Sequence, residues 1–194
     1  MAGAPLPDSS AAEAANWYEA NRFRIIIANA MVGLTFPALL AFGAAMFELG
    51  RDNTSARIWM LMGAFGGVSM VGVFSIVIAG NIVAVLSATG GGVLFELAWN
   101  LHNAAFAVNM TVLGAAFLGF SAGAYAAGLT PAWLRMAGLT GASLLLLTGF
   151  GNTVVAGGSA FALIGFAGFL LWLVWIIALG LRLLRTTALI GTKE

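Results

Sequence analysis

The sequence predicts an all-α fold: a polytopic membrane helix bundle of about five transmembrane helices, preceded by an interfacial helix. Three observations carry that expectation. Hydrophobic residues are 61% and charged residues 8% of the 194 positions, with a mean hydropathy of +1.02, far from the make-up of a water-soluble domain. The apolar residues gather into runs long enough to cross a bilayer, which takes roughly 20 residues. The basic residues gather at the breaks between alternate runs, the pattern that sets membrane orientation. No polar block is long enough for a separate globular unit, so 1–194 reads as one transmembrane domain with a polar, interfacial segment over 1–24.

Each element has its own signal. Ser10-Ala-Ala-Glu13 has capping-box spacing just after Pro7, so a helix is expected from about Ala11, carrying Trp17, Tyr18, Arg22 and Arg24 to the membrane surface. Residues 1–21 lack a basic leader and the apolar run from Ile25 is too long for a signal peptide, so the segment is read as retained. Spans are expected at 25–48, 58–86, 93–127, 132–156 and 160–183. Pro37 is expected to kink the first. The third is too long for a simple crossing, so it tilts, protrudes, or begins with a re-entrant piece near Gly90-Gly-Gly92 that would count as a sixth element. Thr130-Pro131 reads as a helix start, with threonine as N-cap and proline in the first turn.

Arg51, Arg57, Arg135, Arg182, Arg185 and Lys193 all fall on one side of a five-span chain, whereas the connections 87–95 and 157–159 contain no Lys or Arg. That places the C-terminus in the cytoplasm and the N-terminus outside the cell membrane, with Arg22 and Arg24 as the opposing charges. Gly63-x-x-x-Gly67 and Gly119-x-x-x-Gly123 have the spacing that lets helix backbones approach closely. Among 26 glycines they are read as packing, not as a dimerisation signal.

Composition also excludes functions. A net charge of +1 offers no basic cluster for a nucleic acid. One histidine and no cysteine cannot build a metal or haem site within one chain, so no metal and no cofactor is expected. No repeat suggests an inverted-repeat transporter. Membrane lipids and an apolar small molecule are the expected partners, and a homo-oligomer is compatible with the sequence.

Between Arg57 and Arg135 the chain carries one acidic side chain, Glu96, and its only histidine, His102. Both lie in Phe95-Glu-Leu-Ala-Trp-Asn-Leu-His-Asn103, where an ionisable group is costly unless it serves a cavity, a partner or a reaction. Glu96, Asn100 and Asn103 share a helical face, and Trp99, His102, Phe106 and Asn109 form the adjoining stripe. Asn29, Asn81 and Asn152 fall in the same half of the membrane. The expected site is therefore an outward-opening cavity with Glu96 and His102 as catalytic residues. Trp99, Asn100, Asn103, Phe106, Asn81, Asn152 and Asn29 would bind the substrate, with Phe95, Phe150, Trp172 and Trp175 as further walls. Structural readings stand beside this one: asparagines as interhelical hydrogen bonds, Glu96 at the lipid–water interface, and the two tryptophans as core.

A carboxyl group in a pocket of low dielectric stays protonated and can deliver a proton, while His102 or a held water removes one. That is acid-initiated isomerisation, epoxide opening or cyclisation of an isoprenoid or other lipid-like substrate. The site type is analogous to that of membrane-bound terpene cyclases. The alternatives are an accessory or structural subunit of a membrane complex, and a small proton-coupled transporter.

Gly128-Leu-Thr-Pro-Ala-Trp-Leu-Arg-Met-Ala-Gly-Leu139 and Leu171-Trp-Leu-Val-Trp-Ile-Ile-Ala-Leu-Gly-Leu-Arg182 resemble the C-terminal half of small multi-pass bacterial proteins grouped as DUF4386-like. This resemblance covers about the last seventy residues. It implies a bacterial membrane protein and no particular activity.

Overall fold

A computed structural model describes residues 4–191, with side chains as far as Arg185; Lys193 lies outside the described residues. Among the described residues seven helices follow one another: α1 (Ala11–Ala20), α2 (Arg22–Gly50), α3 (Thr54–Ser87), α4 (Val93–Ala126), α5 (Ala132–Phe150), α6 (Asn152–Ala156) and α7 (Ala162–Gly191). Five of them, α2, α3, α4, α5 and α7, are long and apolar enough to cross a membrane.

The expected capping box forms: Ser10 Oγ accepts from the Glu13 N–H, and the Glu13 carboxylate accepts from the Ser10 N–H. α2 runs unbroken through Pro37. The long third span is one helix, and Gly90, Gly91 and Gly92 form the turn ahead of it, all three at positive φ where a side chain would be strained. Two boundaries differ from the sequence reading. α5 has Pro131, not Thr130, at its N-cap. The fourth span stops at Phe150 instead of reaching 156, because the backbone turns at Gly151 and restarts as the short α6, with the Phe161 ring packed over the bare Gly151.

The crossings are stacked in chain order: α2 packs on α3, α3 on α4, α4 on α5 and α5 on α7. Both small-residue motifs serve the α3–α4 contact. A Cβ on Gly119 would stand 2.7 Å from Gly63 Cα, and one on Gly66 would stand 2.7 Å from the Ala116 nitrogen, so these helices touch backbone to backbone. The same logic joins α4 to α5 at Gly114–Leu146 and Gly149–Thr111, and α5 to α7 at Gly141–Gly168.

Two apolar cores result. The larger lies toward the end bearing Arg51 and Arg135, where Met46, Met60, Phe117, Phe120, Leu134, Leu145, Trp175 and Leu179 are buried. The smaller lies at the other end, where α1 folds over α3 and α4 and buries Ala14, Ala15 and Tyr18 against Ala88, Phe95 and Trp99. Ahead of α1, the chain reaches across to the α6–α7 connection: Gly158, at φ +86°, lies so close to Asp8 that a Cβ there would be 2.7 Å from the Asp8 Cβ. The N-terminal segment therefore spans the mouth of the bundle.

Candidate functional site

His102 sits on the face of α4 that meets α3, where Gly80 lets the two backbones close to contact. Its Nδ1 lies 3.0 Å from the Val77 carbonyl oxygen. A carbonyl can only accept, so Nδ1 carries the hydrogen and donates it, and neutral His102 keeps its lone pair on Nε2. The ring stacks on Trp99, with centroids 6.0 Å apart and planes 14° apart. Val77 is one helical turn from Asn81, whose Nδ2 donates to Asn29 Oδ1 at 3.1 Å across the α2–α3 contact. The bond leaves Asn29 Nδ2 and Asn81 Oδ1 buried with no partner among the described residues.

The structure thus brings together Asn29 with Asn81, and His102 with Trp99. It does not assemble the full set that the sequence suggested. Six residues of α-helix turn through about 240°, so Glu96 and His102 point about 120° apart and stand about 9 Å apart along α4. Glu96 is exposed in the first turn of α4, in a shallow groove with Ala12, Ala15, Asn16 and Gly91. Asn100 is exposed too, while Asn103, on the same face, is buried and its Nδ2 has no partner among the described residues. Gly149 of α5 packs level with Thr111 and the short α6 packs on α4 just beyond it, whereas Asn100 and Glu96 stand further out, about 17 and 23 Å along α4 from Thr111.

The aromatic walls are redistributed in the same way. Phe106 is exposed and Phe150 is 92% exposed at the end of α5. Trp172 and Trp175 stack on each other and meet the Phe117 ring edge-on inside the larger core, so they are packing residues. Trp99 is buried, and what covers it is Tyr18 of α1. Asn152 opens α6 rather than closing a span, and it is half-buried.

Tyr18, which the sequence reading set on the interfacial helix without assigning it to the site, is buried against Phe95 and Trp99. Burial pushes its phenol up to about 12. The spacing of Ala11, Ala14, Ala15 and Tyr18 on one face of α1 was the available signal. Asn109 is likewise buried with an unpartnered Oδ1, two turns further along α4 from His102.

This is a polytopic helical membrane protein that sets Asn29, Asn81 and His102 among the helices of the N-terminal end of its bundle. The chain belongs to the family described as a domain of unknown function, DUF4386, whose model matches residues 2–180. The match extends the resemblance from the C-terminal half across the Glu96–Asn103 segment. No curated protein and no solved structure matches the chain.

Proposed function

We propose that this protein binds an apolar, lipid-like molecule in the N-terminal half of its bundle and transfers a proton to or from it, in the manner of an isomerase or cyclase. The observation that carries the reading is the His102–Val77 hydrogen bond. It fixes the ring and its tautomer, leaving Nε2 as a base with a defined direction, which is how a catalytic imidazole is held. Asn29 and Asn81 supply polar groups on the adjoining helices, and Trp99, stacked on the imidazole, holds that ring in place. Glu96, exposed and turned away from His102, takes no part in the proton transfer at His102; its position supports an interfacial role.

Deuterium incorporation tests this. The full-length protein is purified in nanodiscs with its host lipids, incubated in heavy water, and its retained lipids are analysed by mass spectrometry. Carbon-bound deuterium should appear in a retained lipid with the wild-type protein. His102→Gln should slow that appearance by about 100-fold or more, while Glu96→Gln leaves it near normal. Equal exchange in wild type and His102→Gln would remove the catalytic reading and leave an accessory subunit as the better one.

A further inference from the structure

We infer that the cleft between the N-terminal segment, α1 and the start of α2 binds the head of a phospholipid that carries a primary ammonium, with Arg24 taking the phosphate and Glu13 the ammonium. The site is separate from the proposed proton transfer at His102.

The cleft has a volume of about 880 Å³, and Leu6, Glu13, Asn16, Trp17, Asn21 and Arg24 line it. The local chain produces it. Glu13, Asn16, Trp17 and Ala20 fall at i, i+3, i+4 and i+7, so they share one face of α1, opposite the face on which Ala14, Ala15 and Tyr18 dock against the bundle. The helix breaks at Asn21, and α2 restarts with Arg24 in its first turn. The segment ahead of α1 supplies the facing wall through Leu6. Glu13, Asn16 and Arg24 are exposed and Trp17 and Asn21 half-buried, so each can be reached from the cleft.

The polar groups select the head. Among the described residues Arg24 is in no ion pair, and Glu13 accepts only from Ser10, through Oε2, so the guanidinium and Glu13 Oε1 stay open. Asn21 Nδ2 donates to the Trp17 carbonyl oxygen at 2.9 Å, which leaves Asn21 Oδ1 to accept. A guanidinium forks onto two phosphate oxygens. A primary ammonium has only donors to offer, and Glu13 Oε1 and Asn21 Oδ1 are acceptors. A quaternary ammonium has no N–H to give them, and a head with a phosphate and no cation would leave its charge facing Glu13.

Depth and the face of α2 make the ligand a lipid. A helix of 29 residues is about 43 Å long, longer than a hydrocarbon layer of roughly 30 Å, so about 6–7 Å at each end lies outside that layer. Arg24 is two residues into α2, about 3 Å, which sets it at the level of the head groups. Below it on the same face follow Ile27, Met31 and Leu34, all exposed, a stripe along which an acyl chain can lie. Arg22, about 160° away round the helix, does not line the cleft.

The probes are dioleoyl phosphatidylethanolamine, phosphatidylcholine and phosphatidylglycerol, each titrated against the full-length protein in detergent and counted as bound lipid by native mass spectrometry. Phosphatidylethanolamine should bind about fivefold or more tightly than the other two. Arg24→Gln should weaken its binding about tenfold, while Arg22→Gln, an equal loss of charge outside the cleft, leaves it near wild type. Glu13→Gln, which preserves the capping box, should bring phosphatidylethanolamine down to the level of phosphatidylcholine. Equal binding by wild type and Arg24→Gln overturns the site, and so does an equal loss in Arg22→Gln. Phosphatidylglycerol binding as tightly as phosphatidylethanolamine overturns the ammonium contact. Displacement of the lipid by an equal concentration of glycerophosphoethanolamine, the same head without acyl chains, overturns the lipid and makes this a site for a soluble phosphate ester.

Discussion

The Tyr18 ring meets Trp99 edge-to-face, with centroids 5.6 Å apart, and meets Phe95 in the same manner at the same distance. One phenol therefore pins α1 onto α4 directly beside the residue on which His102 stacks. Removing it should free α1. Tyr18→Ala deletes a buried aromatic at a cost of about 3 kcal/mol or more, enough to undock a ten-residue helix whose other buried contacts are alanines. Hydrogen exchange over residues 11–20 should become fast, while exchange in α3 and α5 stays near wild type. Retained protection of α1 would show that the alanine contacts suffice.

The same contact predicts a dependence on pH. The Tyr18 phenol, raised from 10.0 to about 12 by burial, binds its proton more tightly docked than free. Docking is therefore fully stable below pH 10 and weakens as pH rises from 10 through about 12. Emission from Trp17 and Trp99 should change across that window, and Tyr18→Phe should abolish the change. A transition below pH 9 would assign it to another group.

Helix packing makes its own prediction at two glycines of opposite surroundings. A methyl group on Gly119 would press on Gly63 Cα and the Trp59 carbonyl oxygen, each 2.7 Å away and both backbone, so Gly119→Ala should destabilise by about 1–3 kcal/mol. At Gly33, also helical, the added methyl meets nothing, and Gly33→Ala should stabilise by about 0.5–1 kcal/mol. Thermal unfolding in one detergent compares the pair. Equal effects would contradict the close α3–α4 contact.

The five crossings were legible because hydropathy is a property of a run and survives errors of a few residues. The capping box at Ser10 was legible because its chemistry is local. The end of α5 was not: Gly151 and Asn152 interrupt the helix inside a run that stays apolar, and the Phe161 ring that packs there comes from further along the chain. Nor was the extent of cover on α4: Glu96 and Asn100 are exposed although they share a face with buried Asn103, because α4 runs on about 17–23 Å beyond the level at which α5 packs. Periodicity groups residues by face, but only neighbouring elements decide which part of that face is covered. Asn29 and Asn81 fared better, since a lone amide among aliphatic residues on each of two adjacent spans has few partners besides the other.

The last prediction concerns orientation. α1 packs on the Ala88 turn and Asp8 lies against Gly158, so the N-terminus, the α3–α4 turn and the α6–α7 connection share one end of the bundle. The opposite end holds Arg51, paired with Glu48, and Arg135, whose guanidinium lies 4.4 Å from the Tyr125 ring centroid. Ion pairing does not cancel the orienting effect of arginine, because acidic residues contribute little to it. A reporter after Lys193 should therefore be cytoplasmic and one inserted at Gly91 external. Arg22 and Arg24 are the charges that compete, so Arg22→Gln/Arg24→Gln should leave this topology unchanged, whereas Arg51→Gln/Arg57→Gln/Arg135→Gln should produce a mixture of orientations. Reporters at Gly91 and after Lys193 on the same side would overturn the five-crossing arrangement itself.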